Sequence, residues 1–351
     1  MNNKPLPIVG ISCGDPNGIG IEVILKTLSD KRILSFFTPV IFCNMNLLID
    51  QKKLLGIDLD FIKIEKNKLP IKGKINVVNV WEEKFQTCFG DPSIESGKLS
   101  YLSLEASATS LAENKIDVLV TAPINKNNIQ NKNFEFPGHT DYLAKKFEGK
   151  SLMFMVSEDL KVGLVTDHIP IKQVHSNITK DKVKEKFSLI NESLIKDFGI
   201  QRPKIAVLSI DPHVGDGGTI GDDDDKILKP ALKEISETES FVFGPFSSDS
   251  FFGSGLYKKY DAVLAIYHDQ GLIPFKTLSF GEGVNYTAGL SKIRTSPDHG
   301  TGYDIAGKGL ADNTSFKKAI FSAIEILNSR KLNEILNKNP LTLKKTKTVN
   351  K

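Results

Sequence analysis

Arginine is scarce in this chain. Of its 46 basic residues only Arg32, Arg202, Arg294 and Arg330 are arginines. Lysine supplies nearly every solvated cation, so an arginine inside a glycine-rich stretch, as Arg294 is, points to a task for the guanidinium fork, which grips phosphate or carboxylate as lysine does not. Cysteine is equally sparse. Cys13, Cys43 and Cys88 are odd in number and widely spaced, which excludes a disulfide framework and fits a reducing cytoplasm. No apolar run approaches the roughly 20 residues that span a bilayer, which argues against a membrane role. The start, Met1-Asn2-Asn3-Lys4-Pro5, leads into an apolar run too short for a signal peptide. A net charge of +4 over 351 residues, without a basic stripe, excludes nucleic acid as the expected partner.

What is present is an ordinary globular composition, 40% hydrophobic and 25% charged. Short apolar runs alternate with helical patterns. Residues 8–13, 40–43, 61–64, 75–78, 118–121, 162–165, 205–210 and 262–266 read as strands. Residues 19–31, 47–55, 99–114, 180–198, 226–236 and 316–328 read as helices. Such alternation predicts an α/β fold with a mainly parallel sheet. The tail beyond Pro340 is rich in Lys and Thr without periodicity and reads as frayed.

The chain has six histidines, and three of them follow strand-like runs: His168 in Asp167-His168-Ile169-Pro170, His213 in Pro212-His213-Val214-Gly215, and His268 in Tyr267-His268-Asp269-Gln270-Gly271. In parallel α/β sheets ligands collect at strand carboxyl ends. Three imidazoles leaving three strand ends, with one position left open, suit a catalytic metal better than a structural one. The glycine-rich stretch 267–309 also holds Lys276, Asn285, Arg294, Asp298 and His299. A cation, an amide and a fork there suit a phosphate monoester, although a solvated loop would look the same. Three other features stay open or bland. The loop Gly14-Asp15-Pro16-Asn17-Gly18-Ile19-Gly20 reads equally as a turn or a ligand loop. In Gly138-His139-Thr140, Thr140 is either a helix cap or a substrate contact. Asp222 to Asp225 read as a helix start favoured by the dipole, and His175 as a surface residue.

Taken together, these motifs resemble the 4-hydroxythreonine-4-phosphate dehydrogenase family of vitamin B6 biosynthesis. The resemblance runs in order through Gly14 to Gly20, Thr121-Ala122-Pro123-Ile124-Asn125-Lys126, Gly138-His139-Thr140, Asp167-His168, Pro212-His213, Tyr267 to Gly271, Gly283-Val284-Asn285 and Arg294 to Thr301. It implies a three-layer α/β/α fold like that of isocitrate and isopropylmalate dehydrogenases, with a cleft between two subdomains: 1–137 with 300–340, and 138–299. It implies one divalent ion per site (zinc, magnesium or cobalt) on His168, His213 and His268. Substrate is expected on His139, Thr140, Lys276, Asn285 and Arg294, and NAD or NADP near Gly14, Asp15 and Asp249. Asp269 is expected to orient His268 or accept a proton. The implied reaction oxidises 4-phosphooxy-L-threonine to a 3-keto acid that decarboxylates to 3-amino-2-oxopropyl phosphate. Related dehydrogenases of phosphothreonate or phosphoerythronate are the alternative; a metal-dependent phosphohydrolase and a structural-metal protein are more distant rivals. A cytoplasmic homodimer with shared sites is implied, which we read as His168 and His213 from one chain and His268 from the other. Asp211 stands where the family usually has asparagine.

Overall fold

The computed structural model describes residues 5–65, 67–238 and 240–339; the expected tail, 341–351, lies outside them. In chain order the strands are β1 (Ile8–Ser12), β2 (Thr38–Cys43), β3 (Phe61–Ile64), β4 (Ile75–Asn79), β5 (Val118–Thr121), β6 (Gly149–Val156), β7 (Lys161–Leu164), β8 (Lys204–Leu208), β9 (Phe241–Phe246), β10 (Ala262–Ala265), β11 (Val284–Leu290) and β12 (Arg294–Pro297). The helices are α1 (Gly20–Leu28), α2 (Met45–Leu54), α3 (Ile94–Ala112), α4 (His139–Lys146), α5 (Ile171–Asn177), α6 (Lys180–Lys196), α7 (Lys229–Ser236), α8 (Ser248–Gly253), α9 (His268–Leu278) and α10 (Thr314–Asn337).

All twelve strands form one sheet in the order β3-β4-β2-β1-β5-β12-β11-β6-β7-β10-β8-β9. The first six are parallel, as are the last four. Between them β11 runs antiparallel to β12 and β6, and β6 antiparallel to β7. The two parallel halves therefore point in opposite directions, and their carboxyl ends lie at opposite edges of the sheet. The expected mainly parallel α/β sheet is present. Its centre is antiparallel, and the expected subdomain boundary is crossed there, where β12 pairs with β5.

The strands that the sequence hid are β6, β9, β11 and β12. Parallel strands covered on both faces read as apolar runs. β11 (VNYTAGL) and β12 (RTSP) instead carry polar residues on one face. Alternation along β11 sends Tyr286 and Ala288 into the continuous core on one side, under α1, α6 and α10. Asn285 and Thr287 alternate with them, so they face the other side. There the helix layer is split. One cluster unites α3 and α4 around Leu104, Ala108, Tyr142 and Leu143; another unites α8 and α9 around Phe251, Leu272 and Phe275, with Met153 and Met155 of β6. The gap between these clusters lies over the antiparallel strands.

A polar cavity over the antiparallel strands

The gap is a cavity of about 600 Å³. Register fixes its floor. Asn285 lies opposite both Ser296 of β12 and Met155 of β6, Thr287 opposite Met153, and Arg294 opposite Leu119. One wall is the start of α4, with His139, Thr140 and Asp141. The facing wall is α9, with His268, Asp269, Leu272, Ile273 and Lys276. His268 opens this helix rather than a loop. A Cβ on Gly271 would fall 2.8 Å from Leu164 and 2.9 Å from Ala265, so glycine lets α9 settle onto β7 and β10. The site thus spans the sheet face, and only part of it sits at strand carboxyl ends.

Arg294 is the floor's only arginine, 2% exposed, and it belongs to a strand, not the loop the sequence suggested. Its Nε and Nη2 donate to Thr121 Oγ1 at 3.0 and 2.6 Å, and its Nη1 donates to Thr287 Oγ1 at 3.2 Å. Among the described residues no carboxylate pairs with it. Burial pushes its pKa down to about 9, so it remains a cation at neutral pH. A buried charge held only by two hydroxyls is costly unless an anion completes it. Three buried polar atoms of cavity residues also lack partners: His139 Nε2, Asn285 Oδ1 and His299 Nε2. Buried polar groups are normally satisfied, so orphans gathered at one cavity mark a ligand's place. Lys276 Nζ is nearby, donating to Asp298 O at 3.1 Å. Burial, then the Arg294 and Lys126 cations, hold the His139 imidazole well below its ordinary range, so it is neutral at pH 7.

His168 and His268 stand side by side, ring centroids 5.5 Å apart. Asp269 Oδ1 lies 2.7 Å from His268 Nδ1, which leaves Nε2 as the ring's free donor atom. Burial first, then Lys126, keeps His168 below its usual pKa against the opposing pull of Asp167. His213 does not join them. It follows β8 and is absent from the cavity wall, and among the described residues no three metal-binding side chains meet. Within one chain His168 and His268 thus stand together and His213 apart, where His168 was expected beside His213. His213 lies instead toward α8. There Asp249 accepts Ser247 Oγ at 2.6 Å, and its carboxyl is held below the usual range by that bond, by the Ser250 N–H and by His213.

The first loop serves the fold. Gly14 takes a positive φ of 69°, and a Cβ there would meet Pro123 O at 2.3 Å. Asp15 is fully buried and receives the Asn17 N–H (2.9 Å), Asn128 Nδ2 (2.7 Å), Tyr303 OH (2.8 Å) and Ser96 Oγ (3.2 Å). Three of these donors share Oδ2, and the Asn17 N–H is on Oδ1. His175 is a surface residue paired with Asp223 at 2.9 Å, as its sequence context suggested. Asp224 departs from its bland reading: it is 1% exposed and receives the Ile210 and Asp211 N–H groups. Thr121, Lys126 and Asp141 also line the cavity, though sequence reasoning assigned them no role. The one available signal was Thr121, a hydroxyl closing an apolar run just before Ala122-Pro123.

Fold and cavity together define an α/β protein with a polar cavity floored by a buried cation. Comparison with known proteins makes this specific. Residues 35–323 match the family model described as "Pyridoxal phosphate biosynthetic protein PdxA", and the chain belongs to that family. A relative from Bacteroides thetaiotaomicron named 4-hydroxythreonine-4-phosphate dehydrogenase is 44% identical over 335 residues, 95% of this chain and 92% of its own. The crystal structure of the 4-hydroxythreonine-4-phosphate dehydrogenase from Klebsiella pneumoniae superposes with a TM-score of 0.79 at 30% identity, covering 93% of this chain and 99% of that one. A relative from Oceanobacillus iheyensis, 35% identical over 93% of this chain and 99% of its own, carries D-threonate 4-phosphate in its name. No helix among the described residues is long and apolar enough to cross a membrane.

Proposed function

We propose that the protein oxidises 4-phosphooxy-L-threonine at its C3 hydroxyl with NAD or NADP, in the supply of pyridoxal 5'-phosphate. The observation that carries this is Arg294, a buried cation without an acid partner, beside the orphaned His139 Nε2 and Asn285 Oδ1. A phosphate or carboxylate of the substrate completes Arg294 and accepts from His139 Nε2 in the tautomer protonated there; Asn285 Oδ1 accepts from a substrate hydroxyl or ammonium group, while Lys276 adds charge. Thr140, at the start of α4, presents a hydroxyl on the same wall. The expected lobes, 1–137 with 300–340 and 138–299, would meet over this cavity and exclude water. The hydroxyl loses its proton and C3 its hydride; the 3-keto acid formed then loses carbon dioxide, its carboxylate lying β to the new ketone.

Imidazole nitrogens suit a divalent ion such as zinc or cobalt, and His268, with Nδ1 fixed by Asp269, is prepared as one donor beside His168. A metal held there would supply Lewis acidity and the nicotinamide would take the hydride. The third donor, His213, stands away from this pair, which favours a closed dimer in which His213 comes from the second copy. Mixing variants tests the arrangement. His213→Ala and His268→Ala, unfolded and refolded together, should recover activity, because one site of the mixed dimer is intact. His168→Ala with His268→Ala should recover none, since every site then lacks one donor. Recovery in both mixtures would instead favour His168 and His213 from one chain with His268 from the other.

A turnover assay with 4-phosphooxy-L-threonine and each nicotinamide tests the reaction. Nicotinamide reduction is expected. Phosphate release without reduction would make the protein a hydrolase. The relative named for D-threonate 4-phosphate makes that compound the second substrate to assay; faster oxidation of it would move the chain to that branch.

A further inference from the structure

His213 sits in the least ordinary backbone of the molecule. From His213 through Gly217 every φ is positive, at 53°, 58°, 76°, 44° and 63°, and Gly218 continues at 92°. Three of the four non-glycine residues with positive φ among those described, His213, Val214 and Asp216, lie in this one turn. L-residues resist left-handed conformations, and a β-branched valine resists most. Such strain persists only where surrounding structure over-determines it, and it clusters where function needs a fixed geometry.

The surroundings do over-determine it. Asp211 Oδ2 accepts the Asp223 N–H at 3.1 Å, while Asp224 accepts the N–H groups of Ile210 (3.0 Å) and Asp211 (2.9 Å). The two carboxylates tie the entry of the turn to its exit. Inside, Val214 N–H reaches Asp211 O at 3.2 Å and Ile220 N–H reaches Gly215 O at 3.1 Å. The tie is tight: a Cβ on Gly215 would fall 2.2 Å from Gly221 O, and one on Gly221 would fall 2.3 Å from Asp211 Oδ2. Among Gly215, Gly217, Gly218 and Gly221, where a further glycine would have been the unstrained choice, the chain instead places valine directly after His213. A stiff residue there removes alternative loop conformations that glycine would allow.

We propose that the left-handed turn His213 to Gly218 is a positioning device, in which Val214 and the Asp211–Asp224 tie hold the His213 imidazole ready for a divalent cation. This rests on the reading of His213 as a metal donor. The tie also gives Asp211 a role: the acid that replaces the family's usual asparagine accepts a backbone N–H that closes the turn.

The probe is cobalt(II) alone, titrated into the metal-free, full-length protein and followed by calorimetry and visible absorption. Val214→Gly should keep or raise the melting temperature, because strain is relieved. It should nonetheless weaken cobalt binding at least about fivefold, since binding must then order the loop. Val214→Ile, equally stiff, should restore wild-type affinity. Gly217→Ala checks handedness independently. A Cβ there meets nothing within 4 Å, so only the positive φ resists it, and its melting temperature should fall. A rise would mean the turn is not left-handed in solution, which overturns the proposal. If His213→Ala loses cobalt affinity while Val214→Gly keeps it, the metal assignment stands and the positioning role is overturned. If His213→Ala binds cobalt as the wild type does, the metal assignment itself fails and the turn has nothing to present.

Discussion

Two of the chain's four arginines are buried against opposite faces of the same strand, and their surroundings differ completely. Arg330, on α10, is 7% exposed and fully engaged. Its Nε donates to Asp197 Oδ1 at 2.7 Å, its Nη2 to Tyr286 OH at 2.9 Å and Leu290 O at 3.1 Å, and its Nη1 to Ser291 O at 3.0 Å. Tyr286 in turn donates to Asp197 Oδ2 at 2.7 Å. Arg294, one face away, donates among the described residues only to Thr121 and Thr287. One guanidinium has its counter-charge built into the protein; the other has its counter-charge left out. Burial alone therefore does not separate a structural arginine from a binding one. The presence or absence of an acid does, because a buried ion without a partner is tolerated only where another molecule completes it.

The sharpest way to break this contrast is to remove each charge in turn. Arg330→Met leaves Asp197 buried and unpaired, and should cost about 3–5 kcal/mol of unfolding free energy. Arg294→Met removes a charge that nothing neutralises, so the unliganded protein should be as stable as wild type or more so, while substrate binding collapses. Denaturant titration of both variants checks the pair; equal destabilisation would mean Arg294 is also structural. Asp269→Asn comes next. It keeps a contact to His268 but loses the carboxylate, and metal affinity should fall about 10- to 100-fold by direct titration. Arg294→Lys is milder still. Charge remains but the fork is lost, and KM for the phosphorylated substrate should rise at least about tenfold, the worth of one charged hydrogen bond of roughly 1.5–3 kcal/mol. An unchanged KM would remove Arg294 from the substrate.

The same contrast explains what could be read in the sequence. Strands covered by apolar helices on both faces, such as β1, β5 and β10, announce themselves as apolar runs. β11 and β12 do not, because the face that makes the cavity is written in Asn285, Thr287, Arg294 and Ser296. The polarity that obscured these strands is the polarity that makes the site. The residues of the cavity were recognisable as types and motifs, but their meeting point depended on the antiparallel centre, which no local pattern encodes. His213 shows a second limit. Its motif marks it as a donor, yet only the folded chain places His168 beside His268 and His213 apart. Asp15 shows a third: a carboxylate in a glycine-rich loop gives no sign in the sequence of the four internal donors that the fold brings to it.

The smallest effect separates the two faces by pH. His139 lies on the Arg294 side, and burial, then the Arg294 and Lys126 cations, hold its imidazole well below the ordinary value of 6.5. The unfolded chain takes up a proton at this residue near pH 6.5; the folded chain does not until the pH is lower. Between those points the unfolded state binds more protons, so stability falls as the pH falls. His168, also lowered, acts in the same direction. Replacing His139 with Gln removes one of these two contributions. Denaturant midpoints measured at pH 7.5 and 5.5 should therefore differ less for His139→Gln than for wild type. Saturating inorganic phosphate should sharpen the test: an anion beside Arg294 offsets the field that disfavours the imidazolium, so it should reduce the acid loss in wild type more than in the variant. Identical losses in the two proteins, with and without phosphate, would show that His139 protonates freely in the folded state and does not share the field of Arg294.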